Sequence, residues 1–153
     1  MNAPDAQLDN LNQYYLRGRL QSLAGENEGV SIASETTYTT VLLIDARFVT
    51  RIGISLKNMS GTIDSTVRVI GTLRQWADDA PYYDSDTQND SSWITESDGW
   101  IYGPTNIAAG DTSFPIFVTA PYSWILVQAR KTSAGATNGL VNGYYRAIAE
   151  SYR

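Results

Sequence analysis

From Gly29 onward, apolar and polar residues alternate, and this period of two restricts the fold more than any other feature of the sequence. In the segment RIGISLK, Ile52, Ile54 and Leu56 fall on one side, and charged or small residues fall on the other. Successive side chains of a β-strand point to opposite faces, so this pattern is typical of a strand with one buried face.

Further strands are predicted along the rest of the chain. In STVRVIGTLRQW, Val67, Val69 and Leu73 are predicted to point inward, and the preceding NMSGTID has turn chemistry, so RIGISLK and this segment are predicted to be a hairpin or neighbours in one sheet. Pro115 predicts that FPIFV lies at a sheet edge or that its ladder begins after the proline. The other strand candidates are TTYTTVLLIDARFV, GWIYG, SWILVQAR and LVNGYYRAIA.

Seven or eight such strands predict an all-β fold, an antiparallel β-sandwich of jelly-roll type. The chain has 153 residues, which fits one domain, and we place the sandwich in residues 28–153.

Residues 1–27 differ from the sandwich. Leucines and a tyrosine recur at spacings of three to five, and Asp5 after Pro4 can cap a helix. We expect a short surface helix or an extended arm. If the arm docks on a neighbouring subunit, Tyr14, Tyr15 and Leu16 are its predicted anchors.

Composition removes several function classes. The chain has no Cys and no His, which excludes thiol nucleophiles, disulfides, zinc sites of the usual kind and Ser-His-Asp triads. The net charge is −5 and the Arg residues are dispersed, so no nucleic-acid partner is expected. The N-terminal segment lacks the pattern of a secretory signal, and apolar runs reach only four residues, so no membrane span is expected. We therefore predict no enzyme activity and no cofactor.

Residues 77–92 form a long acidic stretch, and loops of this length are usually functional, mobile or bound to a partner. Asp84, Asp86 and Asp90 are weak candidate calcium ligands. The spacing departs from a calcium loop, because Asn89 stands where the turn glycine belongs and Thr95 takes the twelfth position. The favoured interpretation is a solvated acidic loop without a metal.

Aromatic residues cluster around this loop. Aromatic faces pack on sugars, so the cluster is compatible with a carbohydrate site, and the alternative is that the rings anchor the loop on the sheet. Glu96 and Asp98 form a carboxylate pair, but ESDG has the composition of a turn, so catalysis by the pair is not favoured. The candidate ligand residues are Tyr82, Tyr83, Trp93, Trp100 and Tyr102.

The segment from Ser123 to Ala149 looks like two strands joined by a loop of small residues, and its first strand is apolar on both faces. Ile125, Val127 and Ala129 can face the core, which leaves Trp124 and Leu126 on the opposite face. On the second strand, Leu140, Tyr144 and Ile148 are predicted to share that opposite face. Either the arm or a loop covers this face, or it is a subunit interface. Trp124, Leu126 and Tyr144 are the partner-binding candidates.

About 100 residues resemble small structural proteins of tailed-bacteriophage virions. The similarity lies in TVRVIGTL, in NIAAGDTSFPIFVTAPYSWILVQAR with its turn and apolar strands, and in the closing GYYRAIA. The resemblance implies a β-sandwich subunit of the head, such as a decoration or cement protein, or of the neck or tail.

The resemblance also implies a function and a place. We expect a non-enzymatic capsid decoration subunit that binds the major capsid protein or a tail protein, forms a homo-oligomer with a trimer favoured, and belongs to a virion assembled in the host cytoplasm. Repeated weak contacts on a lattice add up to firm attachment. The alternative is a carbohydrate-binding module or receptor-binding tail domain that uses the loop aromatics.

Overall fold

A computed structural model describes residues 20–47, 49–74, 94–113, 115–119 and 121–150. Its eight strands form two antiparallel sheets of four, and the described residues contain no helix. The strands are β1 (Leu20–Ile32), β2 (Thr39–Asp45), β3 (Arg51–Asn58), β4 (Ser65–Thr72), β5 (Trp100–Ile107), β6 (Ile116–Val118), β7 (Trp124–Lys131) and β8 (Gly139–Glu150).

The strand order is that of a jelly roll. One sheet, here called the β1 sheet, has the order β1-β8-β3-β6, and the other, the β2 sheet, has the order β2-β7-β4-β5. The pairs β1–β8, β2–β7, β3–β6 and β4–β5 are nested, as if one long hairpin had been rolled into two layers. The predicted fold class is confirmed.

The main core lies between the two sheets. Alternating residues of β3 and β8 meet those of β4 and β7, and each fully buried Val, Leu or Ile contributes roughly 1.5–3 kcal/mol by leaving water. At Gly143 the layers approach so closely that a Cβ atom would lie 2.6 Å from Val41 Cγ1. The buried residues at the centre of this core include Ile54, Leu56, Val67, Val69, Ile125, Val127 and Val141.

A buried asparagine joins the two layers at one end. Asn58, at the end of β3, donates from Nδ2 to the carbonyls of Ile63 (2.7 Å) and Ile107 (3.0 Å). Its Oδ1 accepts the Ser60 amide at 3.0 Å, so the buried amide group is hydrogen-bonded on both sides. These bonds link the end of β3 to the end of β5 in the opposite sheet.

Two strand pairings predicted from turn signals are wrong. β3 and β4 lie in opposite sheets, and so do β7 and β8, so neither pair is a hairpin. The turn residues do reverse the chain, but turn chemistry does not determine which layer the next strand joins. β4 also ends at Thr72, and Leu73, predicted to point inward, is exposed.

Two other predictions concern the ends of strands. β6 begins after Pro115 and is an edge strand, so both alternatives offered by the proline are confirmed. The predicted boundary of the arm at residue 27 falls inside β1, whose residues 20–27 pair with β8. Residues 1–19 of the predicted arm lie outside the described residues.

Candidate functional site

The outer face of the β2 sheet is covered within the chain. Trp124 and Leu126 of β7 are 2% and 0% exposed, and they cluster with Ile70 of β4 and with Ile94. Ile94 belongs to residues 94–99, here called the cover segment, which precede β5. Trp124 and Leu126, predicted to meet the arm or a partner, therefore present no exposed surface, and a partner reaches them only if the cover is displaced.

A carboxylate attaches the cover segment to the sheet. Both oxygens of Asp98 accept hydrogen bonds from Arg74, at 2.9 and 3.0 Å, and Thr72 Oγ1 donates at 2.9 Å. The Thr95 amide donates at 2.8 Å and closes the turn. Burial alone would raise the pKa of Asp98, but the hydrogen bonds from Arg74, Thr95 and Thr72 outweigh it and hold the pKa at about 2.

A second attachment is built around a buried arginine. Arg68 of β4 donates from Nε to Gln128 Oε1 at 2.8 Å and pairs with the Glu96 carboxylate. Its guanidinium lies 3.8 Å from the centroid of the Tyr38 ring and 5.6 Å from that of Trp100. Glu96 and Asp98, the carboxylates considered for catalysis, are each paired with an arginine, an arrangement that holds the cover in place.

The predicted ligand aromatics do not form one surface in the part of the chain that the structure describes. Trp100 pairs with Ile70 on the outer face and is 46% exposed. Tyr102 pairs with Val69 and packs against the main core. The structure thus separates Trp100 from Tyr102, and a shared sugar platform on these two rings is not present.

The remaining predicted residues lie outside the described residues. These are the arm anchors Tyr14, Tyr15 and Leu16, the aromatics Tyr82, Tyr83 and Trp93, and the candidate calcium ligands Asp84, Asp86 and Asp90. Within the described ranges, no three His, Cys, Asp or Glu side chains come together as a metal site would require. No helix within those ranges is long and apolar enough to cross a membrane.

The outer face of the β1 sheet is open. It contains a shallow depression of about 780 Å³ whose floor includes Gly53 and Ser55 of β3 and Ala24 of β1. Phe117 of β6 stands at one side and is 77% exposed. A Cβ atom on Gly53 would lie 3.6 Å from the Phe117 ring, so this glycine keeps the floor low beside the ring. We call this feature the β1-sheet trough.

The opposite side of the trough is formed by β8. Tyr144 donates its hydroxyl hydrogen to Glu28 Oε1 at 2.9 Å and accepts a hydrogen bond from Asn142 Nδ2 at 3.1 Å. The bond to the Glu28 carboxylate raises the pKa of Tyr144 above its usual 10.0. Of the predicted partner residues on described strands, Tyr144 is the one that lines an open surface.

The same face carries unpaired positive charge. The core-facing residues of β3 are Ile52, Ile54 and Leu56, so Arg51 and Lys57 point outward with Arg146 of β8. Among the described residues, none of these three cations has a side-chain ion pair or hydrogen bond. An open, largely apolar trough lined by the exposed Phe117 and by Arg146 is the feature of this structure best suited to binding a partner.

Sequence reasoning missed this trough, although a signal for it exists. In IFV of β6, Ile116 and Val118 are buried and Phe117 lies between them on the outer face. A large apolar residue at an outward position of an alternating strand indicates a contact surface.

A buried lysine was also missed. Lys131, at the end of β7, is 2% exposed, and its Nζ donates to the carbonyls of Gly135 and Thr137. It faces Ser65 across the β4–β7 ladder, and the Ser65 hydroxyl is buried without a hydrogen-bond partner in the described structure. These two hydrogen bonds hold the β7–β8 connection against this end of the sandwich.

Comparisons with known proteins return only remote similarities. No family model and no curated protein matches the chain. Among solved structures it is similar to a subunit of the disulfide-linked pili of Bacillus endospore appendages, at 10% identity and a TM-score of 0.41, over 89% of this chain and 93% of that chain. It is also similar to the infectious bursal disease virus VP2 subviral particle, at 14% identity and a TM-score of 0.40, over 88% of this chain and 33% of that chain.

A further similarity is to the Gx strain of infectious bursal disease virus, at 14% identity and a TM-score of 0.34, over 86% of this chain and 31% of that chain. The structures that the chain resembles are thus a pilus and viral particles, and the chain spans about a third of the viral chains. At these identities and TM-scores the similarities do not assign a function, so a function has to be argued from the surfaces of this chain.

Proposed function

We propose that this chain is a non-enzymatic structural subunit of a tailed-phage virion. In this role it is a capsid decoration or cement protein that binds neighbouring capsid or tail subunits and stabilises them. The sequence resemblance in residues 66–73, 106–130 and 143–149 supports the proposal, and so does the jelly-roll topology, an architecture used by viral capsid domains. Because one fold serves many functions, the proposal depends on a surface of this chain.

The β1-sheet trough is the observation that carries the proposal. A soluble monomer gains nothing from a phenylalanine ring that is 77% exposed beside an apolar depression, and such a patch is typical of a contact site. On this face the three cations Arg51, Lys57 and Arg146 outnumber the two carboxylates Glu26 and Glu28, although the net charge of the chain is −5. A negatively charged, partly apolar partner surface would complement it.

Particle binding tests the proposal. Phage particles assembled without this chain are mixed with the purified chain, pelleted through a density gradient and assayed for bound copies. We expect binding at a fixed number of copies per capsid or tail subunit, and a higher temperature of genome release for the decorated particles. If the chain fails to sediment with the particles, and is also absent from wild-type particles by mass spectrometry, the proposal is overturned.

The glycan-binding alternative keeps one exposed candidate ring among the described residues, Trp100. Binding to a glycan array that is lost in Trp100→Ala would establish it in place of decoration. The matched control is Leu73→Ala, another exposed apolar residue, which should leave glycan binding unchanged.

A further inference from the structure

We propose that the β1-sheet trough receives residues 1–16 of a second copy of this chain. The inference rests on the proposed function, which supplies the assembly in which two copies meet. It deepens that function by naming the segment that occupies the contact surface. Four observations favour this occupant: the charge of the segment, its apolar content, the width of the trough, and the direction in which β1 begins.

Charge favours the N-terminal segment. Residues 1–16 contain two carboxylates, Asp5 and Asp9, and no Lys or Arg. The trough is lined by one cation, Arg146, which is exposed and has no ion pair among the described residues, and by one carboxylate, Glu26 of β1. A carboxylate placed beside this arginine would make a charge-assisted hydrogen bond in a partly desolvated setting, where such pairs are strongest.

Apolar content favours the same segment. Leu8, Leu11 and Leu16 recur in it together with Tyr14 and Tyr15. The trough offers Phe117 on one side and Tyr144 on the other, above a floor of Gly53 and Ser55. The segment that supplies the charge therefore also supplies apolar side chains for the exposed ring.

The trough has the width of one peptide segment. The lining residues run from Ala24 and Glu26 on β1 to Phe117 on β6, so three strand spacings of about 4.8 Å give a width of about 14 Å. A single helix with its side chains is about 10–12 Å in diameter, so one such segment fits across the trough.

The direction of β1 favours a second copy over the chain's own arm. Ala24 and Glu26 of β1 line the trough, and β1 begins at Leu20, beyond the trough, where it pairs with Glu150. The chain's own N-terminal segment is therefore attached to β1 at a point beyond the trough. A fully extended stretch of 19 residues spans roughly 60 Å, more than the diameter of a domain of this size, so a neighbour lies within reach.

Disulfide trapping tests the proposal directly, because the chain has no cysteine of its own. Protein with Ser55→Cys in the trough floor is mixed with separate samples of protein with Asn10→Cys, Asn12→Cys or Gln13→Cys, under mild oxidation. We expect a disulfide between chains with at least one of the three positions. The control replaces Ser55→Cys with Ser133→Cys, which is exposed in the β7–β8 connection and should not react above background.

Association of the pure full-length chain supplies the second measurement. In sedimentation velocity we expect wild type to associate, Phe117→Ser and Arg146→Glu each to weaken the dissociation constant by about tenfold, and Asp5→Arg with Asp9→Arg to restore association of Arg146→Glu. Leu73→Ser is the matched control, an exposed residue outside the trough, and should leave association unchanged.

Three results overturn the inference: a monomeric wild type, no disulfide above the Ser133→Cys background at any of the three positions, or association unaffected by both trough variants. Each of them leaves the proposed function standing if the chain still binds particles. If the pure chain is monomeric and Phe117→Ser nevertheless reduces particle binding, the trough faces a capsid or tail subunit rather than a second copy.

Discussion

The two sheets of this jelly roll bury their inner faces in the same core and differ in their outer faces. On the β2 sheet, Trp124, Leu126 and Ile70 are sealed beneath the cover segment. On the β1 sheet, Phe117 stands in the open beside a depression. One outer face has thus become a second, smaller core, and the other remains a surface.

The arginines show the same contrast. Arg68 and Arg74 of the covered face are paired with Glu96 and Asp98 of the cover segment, so they hold two parts of the chain together. Arg146 of the open face has no such partner among the described residues. A cation whose partner lies within the chain stabilises the fold, whereas a free cation beside an apolar trough is available to another molecule.

Aromatic truncation on the two faces should give the largest difference. Trp124→Ala removes a buried ring from the small core, and we expect a loss of about 3–5 kcal/mol in the free energy of unfolding. Phe117→Ala removes an exposed ring and should change it by no more than about 0.5 kcal/mol. Urea denaturation of both variants measures the difference, and equal losses would show that the two faces are not distinct.

The attachment of the cover segment gives a smaller effect that depends on pH. Asp98→Asn removes the charge that pairs with Arg74, and we expect a loss on the order of 1–2 kcal/mol at pH 7. The pKa of Asp98 is lowered in the fold from 3.8 to about 2, so its contribution is complete above the unfolded value and is lost as the pH falls from 3.8 through 2.

The measurement is the difference in stability between wild type and Asp98→Asn as a function of pH. This difference should be constant above about pH 5 and should shrink toward pH 2. The matched control is Asp111→Asn, an exposed carboxylate away from the cover segment, whose difference from wild type should stay near zero throughout. A difference that does not change between pH 5 and pH 2 would contradict the role of Asp98.

The sequence predicted the architecture because alternation is a local property of each strand. Ile52, Ile54 and Leu56 mark the inner face of β3 wherever that strand lies. Sheet membership is different, because it depends on which strand, 30 to 130 residues away, supplies the hydrogen bonds. The turn between β3 and β4 has the composition of a hairpin turn, yet it carries the chain from one layer to the other.

The burial of the predicted partner residues Trp124 and Leu126 could not be read from the sequence for a related reason. Trp124 and Leu126 are large and apolar on a strand whose other face is also apolar, which is the pattern of an interface. The same pattern arises when another part of the chain folds over the strand, and Ile94 with the Arg68 and Arg74 pairs does this here. Phe117 gave a weaker signal because its strand has only three residues.

The smallest expected effect is on the pKa of Tyr144, which lies on the open face. The hydrogen bond to Glu28 raises the pKa of Tyr144 in the fold above its unfolded value of 10.0. The neutral phenol therefore stabilises the fold below the unfolded pKa, and this stabilisation is lost as the pH rises through the folded pKa. The difference between the absorbance titrations of wild type and Tyr144→Phe should isolate the ionisation of Tyr144.

In Glu28→Gln the same titration should shift toward 10.0, because the charged acceptor is gone. Glu35→Gln, on the loop between β1 and β2, is the matched control and should leave the Tyr144 titration in place. Since Tyr144 borders the trough, binding of a second chain there should move this pKa further. A Tyr144 titration that is the same at low and high protein concentration would argue that nothing docks beside it.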